Sequence, residues 1–212
     1  MLLRILSVPT NIYVHCLKHI RHHQTVASGF TNAQHFEEFK VHQHVKDTLS
    51  AVDGHDFEFT RDNLNRVVVY TDGCCLNNNL VVDPRRQAGI GVFWGKKHPL
   101  NMAIPIKEKH LTSNRSEILA AHTAVVFAKQ LNLQTLCLHS DSLYVINSCN
   151  EWLLKWKTNT WLTKKGVKVK NLDLWKSFAV DLRAVFTTFQ KVDETDECLK
   201  CAHDLANLGA RK

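Results

Sequence analysis

Four carboxylates, Asp72, Glu117, Asp141 and Asp204, hold positions from which they could act together. Asp72 follows the β-branched and aromatic run Val67-Val68-Val69-Tyr70-Thr71, and Asp141 follows the apolar run from Thr135 to Ser140, so both fall at the ends of expected strands. Glu117 belongs to the first or second turn of a helix expected over Ser113 to Leu131, and Asp204 belongs to a closing helix. Acids at the C-terminal ends of neighbouring strands, joined by others from helices, converge on one site in open α/β sheets. Four uncompensated charges repel one another and need cations to coexist. Two Mg²⁺ balance them, and ions about 4 Å apart activate water on one side and stabilise a leaving oxygen on the other, as in-line phosphodiester cleavage requires. Taken singly, each acid has a plainer reading as a solvated charge, a helix cap or a turn residue such as Asp72 before Gly73.

The elements that position these acids are readable from run length and period. Strands are expected over Val67 to Thr71, Ala88 to Trp94 and Asn101 to Ile106, with Gly95-Lys96-Lys97 turning between the last two, which gives an antiparallel meander. The helix over Ser113 to Leu131 has Thr112 or Ser113 as its cap and Ile118, Ala121 and Val125 on one face. It leads to the strand ending at Ser140, which a right-handed crossover makes parallel. Short helical segments follow, then a helix from about Asn171 to Arg183, a strand from Val185 to Val192 and the closing helix. The expected class is α/β: a mixed five-stranded sheet, three antiparallel strands and then parallel ones, flanked by helices. The chain divides near residue 65, with a weakly patterned N-terminal region over 1–65 and the folded unit over 66–212.

Composition narrows the partner. The 212 residues are 44% hydrophobic, enough to bury a core, and no run approaches the roughly 18 apolar residues of a membrane span. Lys and Arg total 27 against 20 Asp and Glu, an excess that favours a polyanion. Seven Cys without a recognisable secretory leader read as reduced thiols. Cys198 and Cys201 have metal-ligand spacing but no matching second pair, so zinc is not expected. From Trp152 to Asn171 three Trp interleave with Lys155, Lys157, Lys164, Lys165, Lys168 and Lys170, without an acid. That pattern suits a nucleic-acid groove, and it equally suits an amphipathic helix burying Trp152 and Trp156 on one face.

The motifs Tyr70-Thr71-Asp72-Gly73-Cys74-Cys75, Ala88-Gly89-Ile90-Gly91-Val92 and Thr112-Ser113-Asn114-Arg115-Ser116-Glu117, then Asp141-Ser142 and the Trp152 to Asn171 stretch, resemble type 1 ribonuclease H of animals over about Val67 to Ala210. The resemblance implies a ribonuclease H-like fold and cleavage of the RNA strand of RNA–DNA hybrids. It also implies two Mg²⁺ held by the four acids, with Mn²⁺ able to substitute, and products ending in 5′-phosphate and 3′-hydroxyl. Cys75, Asn78, Asn114 and Glu117 would read RNA 2′-hydroxyls. His110, Thr112 and Asn171 would form a phosphate pocket for the DNA strand, with Trp152 and Trp156 lining its channel. We further expect a monomer that spans no membrane, resident in the nucleus and/or mitochondrion, with the cytoplasm left open.

Departures from the family pattern are local. Ser113 stands where the family has Asn, and His110 replaces an Arg, turning a permanent bidentate phosphate donor into a mostly neutral ring near neutral pH. The family's Val-Pro-Gly-His-Ser-Gly loop reads here Val192-Asp193-Glu194-Thr195-Asp196-Glu197, so its assisting His is absent and a slower enzyme is expected. Asp204 is placed by aligning Ala202-His203-Asp204-Leu205-Ala206 across that shortened loop. Residues 1–65 admit three readings: a mitochondrial presequence (Met1 to His35 has no acid), an eroded hybrid-binding domain, or a disordered leader. Two further functions compete: a catalytically weakened hybrid-binding protein, and a strand-transfer or DNA-cutting enzyme using a similar acidic site.

Overall fold

β-Branched residues set the central strand, and its unequal pairing on the two sides makes room for the site. The computed structural model describes residues 32–52, 57–77, 86–108 and 111–212, with side chains of the first helix described from Val41 on. Asn78, His110 and the readings proposed for the first 31 residues lie outside the described residues. Strands β1 (Val67–Leu76), β2 (Gln87–Phe93), β3 (Met102–Ile106), β4 (Thr135–Ser140) and β5 (Phe186–Lys191) form one sheet in the order β3-β2-β1-β4-β5. β3, β2 and β1 are antiparallel neighbours, while β1, β4 and β5 run parallel, as the sequence leads one to expect.

β1 does not stop at Thr71. Its antiparallel register with β2 continues to Leu76↔Gln87, whereas its parallel register with β4 ends at Tyr70↔His139. Asp72 therefore lies within β1, not at its end, yet just beyond the last residue paired with β4. That edge is where a side chain can meet the loop that follows β4.

Among the described residues six α-helices flank the sheet: α1 (Asn32–Ala51), α2 (Ser113–Gln130), α3 (Leu143–Asn147), α4 (Leu153–Thr158), α5 (Leu172–Asp181) and α6 (Glu197–Ala210), with a π-turn over Ser148–Trp152 joining α3 to α4. Alternate strand residues point to opposite faces, so Gly73 with its partner Ile90 faces one layer and Asp72 with its partner Gly91 faces the other. A Cβ on Gly73 would collide with the backbone of Ser116 and Glu117 in α2, and a Cβ on Gly91 with Ala202 and Ala206 in α6. α2 and α6 thus lie on opposite faces of the sheet, each seated on a residue without a side chain.

α2 is buried continuously from Ile118 to Ala128 and is covered by α1 and α5. Val41 and Val45 of α1 join the core, so a helix from the weakly patterned N-terminal region packs on the folded unit. Asp181 at the end of α5 is only 2% exposed and accepts hydrogen bonds from Lys129 Nζ (2.7 Å) and pairs with His122 Nε2 (2.8 Å), with His42 Nε2 of α1 at 3.6 Å. No helix among the described residues is long and apolar enough to cross a membrane.

Candidate active site

Asp72, Glu117 and Asp141 reach the site from three elements. Asp72 comes from β1 and is buried, Asp141 follows the last residue of β4, and Glu117 comes from the first part of α2. The absent side chain of Gly73 lets the backbone of α2 press against β1, which brings Glu117 beside Asp72. One ligand atom from each acid lies within 4.8 Å of the others, and among the described residues no cysteine joins a group with such spacing. The described cysteines carry no disulfide.

The electrostatics report strain in this cluster. Burial, then the charges of Asp72 and Asp141, push the Glu117 carboxyl well above its ordinary value, against a lowering hydrogen bond from the Gly73 backbone. Asp141 is also raised, by burial first and by Asp72 second. Glu117 Oε2 is buried and has no hydrogen-bond partner. A buried, unpaired acceptor among like charges is costly in a folded protein unless a cation satisfies it.

The fourth acid does not join them. Asp204 is exposed on α6, and the neighbouring His203 turns toward the site, its Nδ1 2.7 Å from Asp72 Oδ2. Successive helical residues are about 100° apart, so the one-residue difference decides which side chain faces the sheet. Leu199, Ala202, Ala206 and Ala210 form the buried stripe of α6, and His203 flanks it at helical spacing from Leu199 and Ala206. Asp204 lies with the exposed Lys200, Cys201 and Leu208. The expectation that Asp204 completes the site is thereby corrected. The signal that points to His203 is already in the sequence, in the small apolar period of this helix, once it is weighed above the attraction of a fourth acid.

Comparison with known proteins fits this geometry. The RNase H family model matches residues 64–194, well over half of the chain. The chain belongs to the RNase H family. It is 45% identical over 105 residues to Ribonuclease H1 of Mus musculus, a match covering 50% of this chain and 35% of that protein. Ribonuclease H of Francisella tularensis subsp. novicida is 37% identical over 115 residues, covering 53% of this chain and 68% of that one. The chain thus spans only about a third of the length of the mammalian relative. The solution structure of the PFV RNase H domain superposes with a TM-score of 0.52 at 26% identity, covering 68% of this chain and 93% of the other.

The remaining positions suggested by the RNase H resemblance separate by burial. Asn114 is exposed in the first turn of α2, and Cys75 is half-buried near the end of β1, its thiol pushed up by burial. Thr112 caps α2, its hydroxyl accepting the Arg115 backbone N–H at 3.2 Å, and Asn171 precedes α5 in the left-handed region at φ 55°. Arg115 joins these two helix starts. Its guanidinium donates to Asp173 at 2.8 Å and lies 2.9 Å from Glu108, and although burial opposes its charge, these two carboxylates hold its pKa above the ordinary value.

Trp156 corrects the paired reading of the two tryptophans. It is only 7% exposed, with ring centroids 5.8 Å from both Trp152 and Trp175, so it is a core residue and does not line a channel. Trp152 is only partly buried at the edge of that stack. The amphipathic alternative accounts for Trp156, while all six lysines of the stretch are exposed.

Proposed function

We propose that the chain is an endoribonuclease that hydrolyses the RNA strand of RNA–DNA hybrids with divalent cations, leaving 5′-phosphate and 3′-hydroxyl ends. The observation that carries this reading is the convergence of Asp72, Glu117 and Asp141, from three elements, to within 4.8 Å in a chain of the RNase H family. The acids suit Mg²⁺, which prefers oxygen ligands, and the unpaired Oε2 of Glu117 supplies an acceptor such an ion would satisfy. These three residues would hold it, and two ions are the number the family resemblance implies. When bound, divalent ions lower the pKa of water and neutralise charge on a phosphodiester.

The chain's own residues do the rest. Gly73 lets α2 bring Glu117 onto β1, and in the metal-free chain His203 holds Asp72 through one hydrogen bond. Asn114 and Cys75, exposed or half-buried beside the acids in sequence, are the candidates for contact with RNA 2′-hydroxyls, the groups that distinguish RNA from DNA. Thr112 and Asn171, held near each other by Arg115, offer polar groups at two helix starts for a phosphate of the DNA strand. The exposed lysines between Trp152 and Asn171 add charge neutralisation.

The test is cleavage of labelled RNA–DNA hybrid, duplex DNA and duplex RNA with Mg²⁺ or with chelator. Only the RNA of the hybrid should be cut, and only with metal. Cleavage that survives chelation, or persists in Asp72→Asn protein, overturns the proposal. A second reading, a hybrid-binding protein with weakened catalysis, is favoured by one observation: Asp204 faces away, leaving three carboxylates in the group. Hybrid bound with little turnover at any Mg²⁺ or Mn²⁺ concentration selects it.

A further inference from the structure

We propose that His203 is a nitrogen ligand for a divalent ion shared with Asp72, so that this site favours a first-row transition ion, for which Mn²⁺ is the probe, over Mg²⁺. The inference deepens the proposed function and rests on its metal-binding acid group. His203 lies outside the group of three acids that share one 4.8 Å neighbourhood, and among the described residues its hydrogen-bond partner is Asp72, Nδ1 to Oδ2 at 2.7 Å. Adjacent ligands of an octahedral ion at about 2.1 Å stand about 3 Å apart, so this separation is close to that of two donors on one ion.

The backbone fixes the phase of the helix that carries the imidazole. Gly91 admits the Ala202 and Ala206 backbone so closely that no Cβ would fit, and Gly89 does the same for Gly209 and Ala210. Ala202 and Ala206 are fully buried. α6 therefore cannot rotate to present Asp204 without lifting its small-residue face off β2, and His203 is the side chain delivered to Asp72. The His203 side chain is 61% exposed, which leaves the ring free to turn about its own bonds, while Asp72 is nearly enclosed at 7%. Independently, Oε2 of Glu117 in the same acid cluster is buried without a hydrogen-bond partner, an acceptor that a cation would satisfy.

Ligand chemistry gives the selectivity. Mg²⁺ takes oxygen donors and surrenders its waters reluctantly, while imidazole nitrogen suits first-row transition ions such as Zn²⁺, Fe²⁺ and Ni²⁺ and is accepted by Mn²⁺, which otherwise shares the oxygen preference of Mg²⁺. Exchanging an acid for a neutral imidazole also removes one negative charge, the attraction on which a purely ionic Mg²⁺ site depends most. Both effects move preference in one direction.

The experiment uses the full chain loaded with Mn²⁺ and read by pulsed electron paramagnetic resonance, with Mn²⁺ and Mg²⁺ affinities from calorimetry. Wild-type protein should show ¹⁴N modulation from a directly bound imidazole. His203→Ala should lose that modulation and bind Mn²⁺ about tenfold more weakly, and His203→Asp should lose it while gaining Mg²⁺ affinity. Mn²⁺ bound without ¹⁴N modulation in wild-type protein, or with modulation retained in His203→Ala, overturns the assignment and leaves the acid site standing provided Asp72→Asn abolishes binding. Binding indifferent to both Asp72→Asn and Glu117→Gln overturns the acid site and the assignment together.

Discussion

Glu117 sits in an environment that opposes its own charge. Because burial and the neighbouring carboxylates raise its folded pKa, the folded protein holds a proton there that the unfolded chain has released. The stability this proton supplies is fully present below the ordinary carboxylate value of about 4.3 and is lost as pH rises through the raised folded value. Metal-free protein should therefore melt at a lower temperature at pH 7 than at pH 5, and Glu117→Gln should flatten that dependence and raise metal-free stability at pH 7 by about 1 kcal/mol, the lower end of what a buried, unsatisfied polar group costs. Thermal unfolding with and without Mg²⁺ checks this: added metal should stabilise wild type more than the variant, and an unchanged pH profile in Glu117→Gln refutes it. At this scale the sequence shows which carboxylates meet when each has a strand or helix start beside it, as Asp72, Asp141 and Glu117 do. It is ambiguous by one residue on α6, because an exposed acid and a sheet-facing histidine are adjacent and only helix phase separates them.

Elements are placed by close approaches and by one buried charge cluster. The glycines at 73 and 91 are visible in the sequence, but which helix each admits depends on strand parity and on contacts between residues far apart in the chain. α1 is the element least legible beforehand: its period is weak, and its docking depends on Val41, Val45 and the reach of His42 toward Asp181. Burial works to raise Asp181, but hydrogen bonds from His122 and His42 and the nearby Lys129 hold its carboxyl far below the ordinary range. A depressed folded pKa contributes stability above the unfolded value, about 3.9 for Asp, and loses it as pH falls below that. Asp181→Ala should cost about 3 kcal/mol at pH 7, since removing one partner of a buried ion pair strands the others. The difference in melting temperature between wild type and variant should narrow below about pH 4, where the unfolded chain begins to take up the proton. A constant difference across that range refutes the assignment.

Over the whole molecule, the excess of basic residues is organised on the side chains between Trp152 and Asn171. Lys164 and Lys165 precede Gly166, whose φ of 72° favours glycine, in a turn closed by hydrogen bonds from Gly166 N to Thr163 O (2.9 Å) and from Thr163 N to Val167 O (2.8 Å), with a bridge from Leu162 to Lys168. The lysine pattern is readable in the sequence, whereas the turn that gathers it, and the burial of Trp156 against Trp152 and Trp175, require the fold. A fixed turn presents its charges with less ordering cost on binding than a flexible one. If these lysines neutralise phosphates of a bound hybrid, each contact released should make the dependence of log affinity on log salt shallower by up to about 0.9. Lys164→Gln, Lys165→Gln and Lys168→Gln combined should therefore weaken hybrid binding, reduce that slope by about 2 to 3 and raise KM, with kcat at saturating hybrid nearly unchanged because none of the three lies on an element bearing an acid of the cluster. Binding titrations from low to moderate salt decide it. A slope equal to that of the wild type places the phosphate contacts elsewhere and leaves the tight turn a solvated surface feature.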